Sequence, residues 1–269
     1  MQFNPFTVLI AVYKNDIPEL FEKALSSIYV NTLSPTKVLL IVDGPIPDSI
    51  ITAINRYKDE KGLEALYLES NVGLAKALNI GLGYVKTEWV IRADSDDINL
   101  SNRFETLAPY MNDSYDLLGS AIQEVDSFGV KLGLRAPPLK QAEIIKFARK
   151  RNPFNHMSVA FRVPLAISCG GYPDIFLKED YGLWASMLSA GARVINLSEP
   201  LVLATAGNSM YKRRGGFRYV YAEIKLQKHL IRKGISNIYF ALIYGVSRSI
   251  IYIIPYQVRG LIYRWLLRK

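Results

Sequence analysis

The sequence predicts an α/β fold: a mostly parallel central sheet flanked by helices, followed by a basic helical C-terminal region. Three observations carry this expectation. Across residues 1–100, short apolar runs alternate with stretches of helical spacing, the rhythm of β–α units. The runs are apolar throughout, as at Val38-Leu39-Leu40-Ile41-Val42, which suits strands covered on both faces. Charge is also split along the chain. Residues 211–269 hold 13 Lys or Arg against one acid, Glu223, although the whole chain carries only +9.

Residues 7–12 (TVLIAV) read as the first buried strand, 17–30 as a helix and 37–43 (KVLLIVD) as the second strand. A helix follows over 48–61, with Asp48 expected at its N-cap. Residues 63–69 form the third strand, 74–85 the third helix and 88–92 the fourth strand. Beyond residue 100 the alternation breaks. Residues 102–111 and 140–150 read as helices, and 117–124, 159–162 and 193–197 as strands. Residues 180–190 make an amphipathic helix closed by Gly191. Residues 216–233 form a basic helix on which His229 is expected to be solvated. The stretch 238–267 is apolar, rich in Tyr and interrupted by Pro255. The expected organisation is an α/β domain over 1–215 and a basic, aromatic helical region over 216–269.

Half of the 269 residues are apolar, enough for a sizeable core. The single cysteine, Cys169, excludes an intramolecular disulfide and fits a reducing compartment. No signal peptide is recognisable, and no uninterrupted apolar stretch has the length of a spanning helix. The basic C-terminal region holds eight of the 17 tyrosines and reads either as a helical pair packed on the domain or as a segment with an anionic partner, nucleic acid or a lipid surface.

The chemistry concentrates at Trp89-Val90-Ile91-Arg92-Ala93-Asp94-Ser95-Asp96-Asp97, where a buried strand ends in three carboxylates. Burying such charges unpaired is costly, and a hard divalent cation shared with substrate phosphates relieves the repulsion. An acidic turn capping the next helix would carry the same residues, so other sites must decide. Asp43 ends the second strand, either as a turn aspartate before Gly44-Pro45 or with a carboxylate that could accept from a base N–H or a ribose hydroxyl. Asn71-Val72-Gly73 opens the third helix, with Lys76 in its first turn, within reach of a phosphate. Glu179-Asp180 starts a later helix. Capping and the macrodipole explain one acid there and leave the other for general-base work. His156 lacks partners at metal-ligand spacing, which argues against zinc, and Gly170-Gly171-Tyr172-Pro173 could shape an acceptor pocket. Tyr211-Lys212-Arg213-Arg214-Gly215-Gly216 suits a basic loop closing over a diphosphate, or a solvated hinge.

Taken in order, these segments resemble a family 2 glycosyltransferase of GT-A fold over about residues 7–215. The resemblance rests on Val8-Leu9-Ile10-Ala11-Val12-Tyr13-Lys14, Val42-Asp43-Gly44, and Asn71-Val72-Gly73 with Ala77 and Asn79. Asp94-Ser95-Asp96-Asp97 with Arg103 and Glu179-Asp180 with Trp184 complete it. It implies that Asp43 binds the nucleobase, with Ala11, Tyr13, Asn71, Gly73, Lys76, Asp94, Ser95, Arg213 and Arg214 around the nucleotide sugar. Asp96, supported by Asp94, would hold Mn²⁺ or Mg²⁺. Asp180 would be the catalytic base of an inverting reaction, with Glu179 beside it. Asp43-Gly44-Pro45 departs from the family, many members of which have a second acid and Ser there.

The segment Asn155-His156-Met157-Ser158 and the Gly170-Gly171-Tyr172 turn narrow the resemblance to bacterial O-antigen and exopolysaccharide transferases. That implies a UDP-sugar donor, a polyprenyl-diphosphate-linked acceptor near His156, Gly171, Tyr172 and Trp184, and no nucleic-acid partner. It also implies peripheral attachment to the anionic cytoplasmic face of the bacterial inner membrane. The rivals are a D-x-D phosphatase, whose nucleophile would normally end the first strand, and a non-catalytic nucleotide-sugar-binding subunit.

Overall fold

The computed structural model describes residues 3–126, 128–205 and 215–254. The first half is built as the sequence pattern requires. β1 (Phe6–Val12), β2 (Lys37–Val42), β3 (Glu64–Tyr67) and β4 (Trp89–Ala93) alternate with α1 (Pro18–Tyr29), α2 (Asp48–Lys61) and α3 (Leu74–Tyr84). β1 pairs in parallel with both β2 and β4, in registers Val8↔Val38 and Val8↔Ile91, and β3 joins β2 in parallel.

The second half comprises β5 (Ile98–Asn99), α4 (Arg103–Leu107), β6 (Leu117–Val125), β7 (Lys131–Arg135), α5 (Gln141–Phe147), β8 (Ala160–Arg162), α6 (Val163–Ser168), α7 (Glu179–Ser189) and β9 (Val194–Thr205). The C-terminal helices α8 (Phe217–Arg232) and α9 (Ile238–Ile253) follow. The strands form one sheet in the order β3-β2-β1-β4-β8-β6-β9-β5, with β7 on β6. β8 runs antiparallel to both β4 and β6, and the β6–β7 and β5–β9 pairs are antiparallel too. The sheet is therefore mixed, where a mostly parallel one was expected. The β–α rhythm that enforces parallel crossovers ends at β4.

Three elements escaped sequence reading: β5, β7 and α6. β5 is only two residues long, too short for a period, and β7 is an exposed strand without an apolar run. The helix expected over 102–111 ends at Leu107 and continues as a 3₁₀ turn, Ala108–Tyr110. Pro109 lacks the N–H that a continuing α-helix needs. Asp48 is the first residue of α2, with Pro47 at the N-cap, so the expected side-chain cap is not made.

Period-two alternation divides the core between the two faces of the sheet. Val8, Ile10 and Leu40 pack with α1, α2 and α4, whereas Leu9, Leu39 and Ile41 pack with α3 and α7. Leu226 and Leu230 of α8 belong to the second cluster. At roughly 1.5–3 kcal/mol for each buried aliphatic side chain, α8 is part of the domain core and not an appended tail. His229 is correspondingly not solvated: its Nε2 lies 2.9 Å from the Gly182 carbonyl and 3.1 Å from Ser186 Oγ on α7.

Candidate active site

Because β1 to β4 are parallel, the turns after all four lie at one edge of the sheet, where open α/β folds bind ligands. Ala11 is buried near the end of β1. The next turn is closed by Asp16, whose Oδ2 accepts the Tyr13 N–H at 2.9 Å.

Asp43 follows β2 and is only 4% exposed. Its carboxylate accepts from the amides of Val72 (2.7 Å) and Gly73 (3.0 Å) and from Asn71 Nδ2 (3.0 Å). The open carboxylate expected for a nucleobase is thus engaged in shaping the β3–α3 turn, which brings Asp43, Asn71 and Gly73 into one unit. Gly44 permits this contact. Its φ is +83°, and a Cβ would sit 2.5 Å from the Asn71 nitrogen. Lys76 is exposed in the first turn of α3.

The acidic turn after β4 is held from below by two buried arginines. Arg92 Nη2 donates to Asp94 Oδ1 at 2.6 Å. Arg103 donates to the Arg92 carbonyl at 2.8 Å and to Asn99 Oδ1. The three acids have different tasks. Asp97 is buried and accepts the Thr205 N–H at 2.8 Å, tying the end of β9 to the turn. Burial, then Asp94 and Asp96, push its carboxyl well above the usual range. Asp96 reaches solvent, yet desolvation by its surroundings and the charges of Asp94 and Asp16 push it up to about 6. Asp16, which sequence reading passed over, is itself raised, first by burial; Ser95 hydrogen-bonds to it. Its signal was an acid three residues past Tyr13, indistinguishable from a turn residue.

A cleft of about 710 Å³ joins this edge to α7 and is lined by Asp94, Asn152, His156, Glu179 and Asp180. Asp180 accepts from Asn152 Nδ2 at 2.5 Å. Glu179 is 6% exposed, and burial followed by the neighbouring Asp180 charge pushes it to about 7. His156 lies on the cleft wall with its pKa lowered by burial and then by Arg92; Nε2 is 3.3 Å from the Tyr172 hydroxyl.

Tyr172 and Trp184 lie behind the wall and not on it. Trp184 packs edge-on against Phe154, Phe161 and Tyr172, so its place is support, not the acceptor surface expected. Gly171 sits where a Cβ would come within 2.3 Å of Asn79 Oδ1. Asn79 clasps Tyr172 through both its N–H and its carbonyl, each at 2.8 Å. Arg213 and Arg214 lie outside the described residues. Among the described residues, no group of three or more His, Cys, Asp or Glu side chains could hold a metal ion alone.

A β–α half-sheet whose strand ends carry a loop-holding aspartate and a D-x-D turn, facing a helix-borne Glu-Asp pair, defines a GT-A nucleotide-diphospho-sugar transferase. The chain belongs to glycosyl transferase family 2, which it matches over residues 7–176. It is 35% identical over 266 residues to the UDP-Gal:alpha-D-GlcNAc-diphosphoundecaprenol beta-1,3-galactosyltransferase of Escherichia coli, covering 98% of this chain and 97% of that one. In fold it is similar to S. aureus TarS 1-349 in complex with UDP-GlcNAc: TM-score 0.64, 17% identity, 85% of this chain and 69% of that one. It spans 41% of a longer TarS chain. It is also similar to the mannosyltransferase PcManGT from Pyrobaculum calidifontis in complex with GDP-Man and Mn²⁺: TM-score 0.59, 16% identity, 96% of this chain and 83% of that one. At these identities the two structures show a shared fold.

Proposed function

We propose that this chain is an inverting hexosyltransferase. It would move a sugar from UDP-hexose or UDP-N-acetylhexosamine to a hydroxyl of a polyprenyl-diphosphate-linked saccharide in O-antigen or exopolysaccharide assembly. The observation that carries the reading is the single cleft into which β4 brings Asp94 and α7 brings Glu179 and Asp180. Likeness to the E. coli enzyme, whose name states both donor and acceptor, supports the two substrate classes.

In the proposed reaction Asp180, held by Asn152, accepts the acceptor hydroxyl proton. The oxygen attacks C1 from the face opposite the diphosphate; the new C1–O bond forms as the C1–O bond to phosphate breaks. The nucleoside diphosphate leaves with that electron pair, and the anomeric configuration inverts. Glu179, its pKa raised to about 7, would spare Asp180 a neighbouring negative charge when protonated. Ala11, Tyr13, Lys76, Ser95 and the turn shaped by Asp43, Asn71 and Gly73 would receive the nucleotide.

Asp96 and Asp94 fit Mn²⁺ or Mg²⁺. They are hard oxygen donors, and the desolvation and like-charge crowding that raise Asp96 are what a divalent cation offsets. A bound ion would neutralise charge developing on the departing diphosphate. The Mn²⁺ in the PcManGT complex supports this choice.

The reading extends to peripheral attachment at the cytoplasmic membrane face. Among the described residues no helix is long and apolar enough to cross a membrane. α8 and α9 expose Phe217, Tyr221, Tyr239, Leu242, Val246 and Ile250 beside an apolar groove of about 350 Å³. The basic charge of residues 211–269 would draw that face to anionic lipid.

The test is a screen of UDP-sugars against polyprenyl-diphosphate sugars with Mn²⁺ or Mg²⁺, reading the anomeric proton coupling of the product. Transfer with inversion is expected. A retained configuration rejects the mechanism. Phosphate release without transfer would favour a phosphatase, and tight UDP binding without turnover a binding subunit.

A further inference from the structure

The segment carrying Glu179 and Asp180 is held by residues far along the chain. Leu177, two residues before Glu179, has φ +53°, and it is the one non-glycine residue with positive φ among the described residues. A leucine stays in that region only where its surroundings over-determine it. Lys178, at the N-cap of α7, is the next residue. Its Nζ lies 2.8 Å from Glu223 Oε2 and 2.9 Å from the Tyr252 hydroxyl, so its side chain is anchored on α8 and α9.

Glu223 is the only acid in residues 211–269 and is fully buried, at 0% exposure. Its other oxygen accepts from Gln227 Nε2 at 2.7 Å and Arg248 Nη1 at 3.0 Å. Arg248 also donates to the Lys150 carbonyl, two residues before Asn152, the side chain that holds Asp180. One buried carboxylate thus anchors both the backbone from which Asp180 projects and, through Arg248, the segment that orients it.

We infer that Glu223 is a positioning residue for the base, and that the α8–α9 hairpin is a working part of the catalytic centre. Lys178 and Arg248 are the two arms of this clamp. The inference rests on the reading of Asp180 as base.

The experiment is a double-mutant cycle on the full chain, with transfer, UDP calorimetry and thermal unfolding as readouts. Glu223→Gln preserves size but removes the charge that binds both arms. It should lower kcat roughly 10- to 100-fold, as a small misplacement of a reacting group does. UDP affinity and donor KM should stay within about twofold, since the nucleotide edge lies on β1 to β4. In an Asp180→Asn background, Glu223→Gln should cost nothing further. If Glu223→Gln unfolds at assay temperature, Lys178→Met severs one arm while leaving Glu223 paired with Arg248, and the same pattern is expected. Full kcat in a folded Glu223→Gln or Lys178→Met protein, or an equal loss with and without Asp180, overturns the inference. An active Asp180→Asn protein overturns the reading of the base instead.

Discussion

At the residue scale, the acids of this site differ by environment and not by type. Asp97 is buried and tied to Thr205, whereas Asp96 faces solvent beside Asp94 and Asp16. Asp96→Asn should cost roughly 10²–10³-fold in transfer, because an amide is a poor ligand for a hard cation and the leaving charge is then unsupported. Its thermal midpoint should match or exceed wild type, since a repelling charge is gone. A Mn²⁺ titration of donor turnover checks the first outcome and thermal unfolding the second. Glu179 offers a second test. Its pKa is raised to about 7, so the folded state holds that proton more tightly than the unfolded chain. Stability should therefore fall as pH rises from about 4.5 to about 7, by an amount on the order of 1–3 kcal/mol, and Glu179→Gln should remove that slope. The same substitution should erase an inflection near pH 7 in kcat/KM while leaving transfer measurable. An unchanged inflection would exclude Glu179 as its source.

At the scale of elements, the β–α turns explain why strand ends become a site. The Asp43 carboxylate reaches from the second turn into the third, and Gly44 lets the two backbones touch. Gly44→Ala would place a methyl group against the Asn71 backbone at a positive φ. A loss of about 1–3 kcal/mol in stability is expected, with weaker UDP binding, because the displaced turn is the proposed nucleotide floor. Chemical denaturation and UDP calorimetry on the same protein would show both effects together. A stable variant with weakened binding would locate the cost in the turn alone. Normal binding would remove this turn from the nucleotide site.

At the scale of the whole molecule, α8 and α9 have two sides. One buries Leu226 and Leu230 in the core, supplies Arg248 to the cleft wall and buries Glu223 against Lys178 and Arg248 behind it. The other exposes the apolar residues of α9. Leu242→Glu with Val246→Glu changes only the exposed side. Sedimentation with anionic vesicles should drop several-fold, while the unfolding midpoint and transfer to a short soluble acceptor remain as in wild type. Binding of the parent protein should weaken with salt, as screening shortens the reach of its charges. Parent protein that ignores anionic vesicles at low salt would refute the membrane reading.

The sequence by itself determined the β–α half of the fold and the acids at its strand ends. A buried parallel strand writes itself as an unbroken apolar run, and an acid after such a run is a local signal. Asp43, Asp94 and Asp96 were readable in this way, and Glu179 and Asp180 as an acid pair at the start of a helix. Only the tertiary structure decided the mixed sheet beyond β4, because antiparallel returns such as β8 and β7 are short and their pairing is set by distant partners. It also decided that Asp43 shapes a turn, that Trp184 supports from behind, and that His229 packs against α7. The basic composition of residues 211–269 pointed to an anionic partner. It could not disclose that its one acid is buried against Lys178, because that contact joins residues 45 positions apart and leaves no period or motif in the chain.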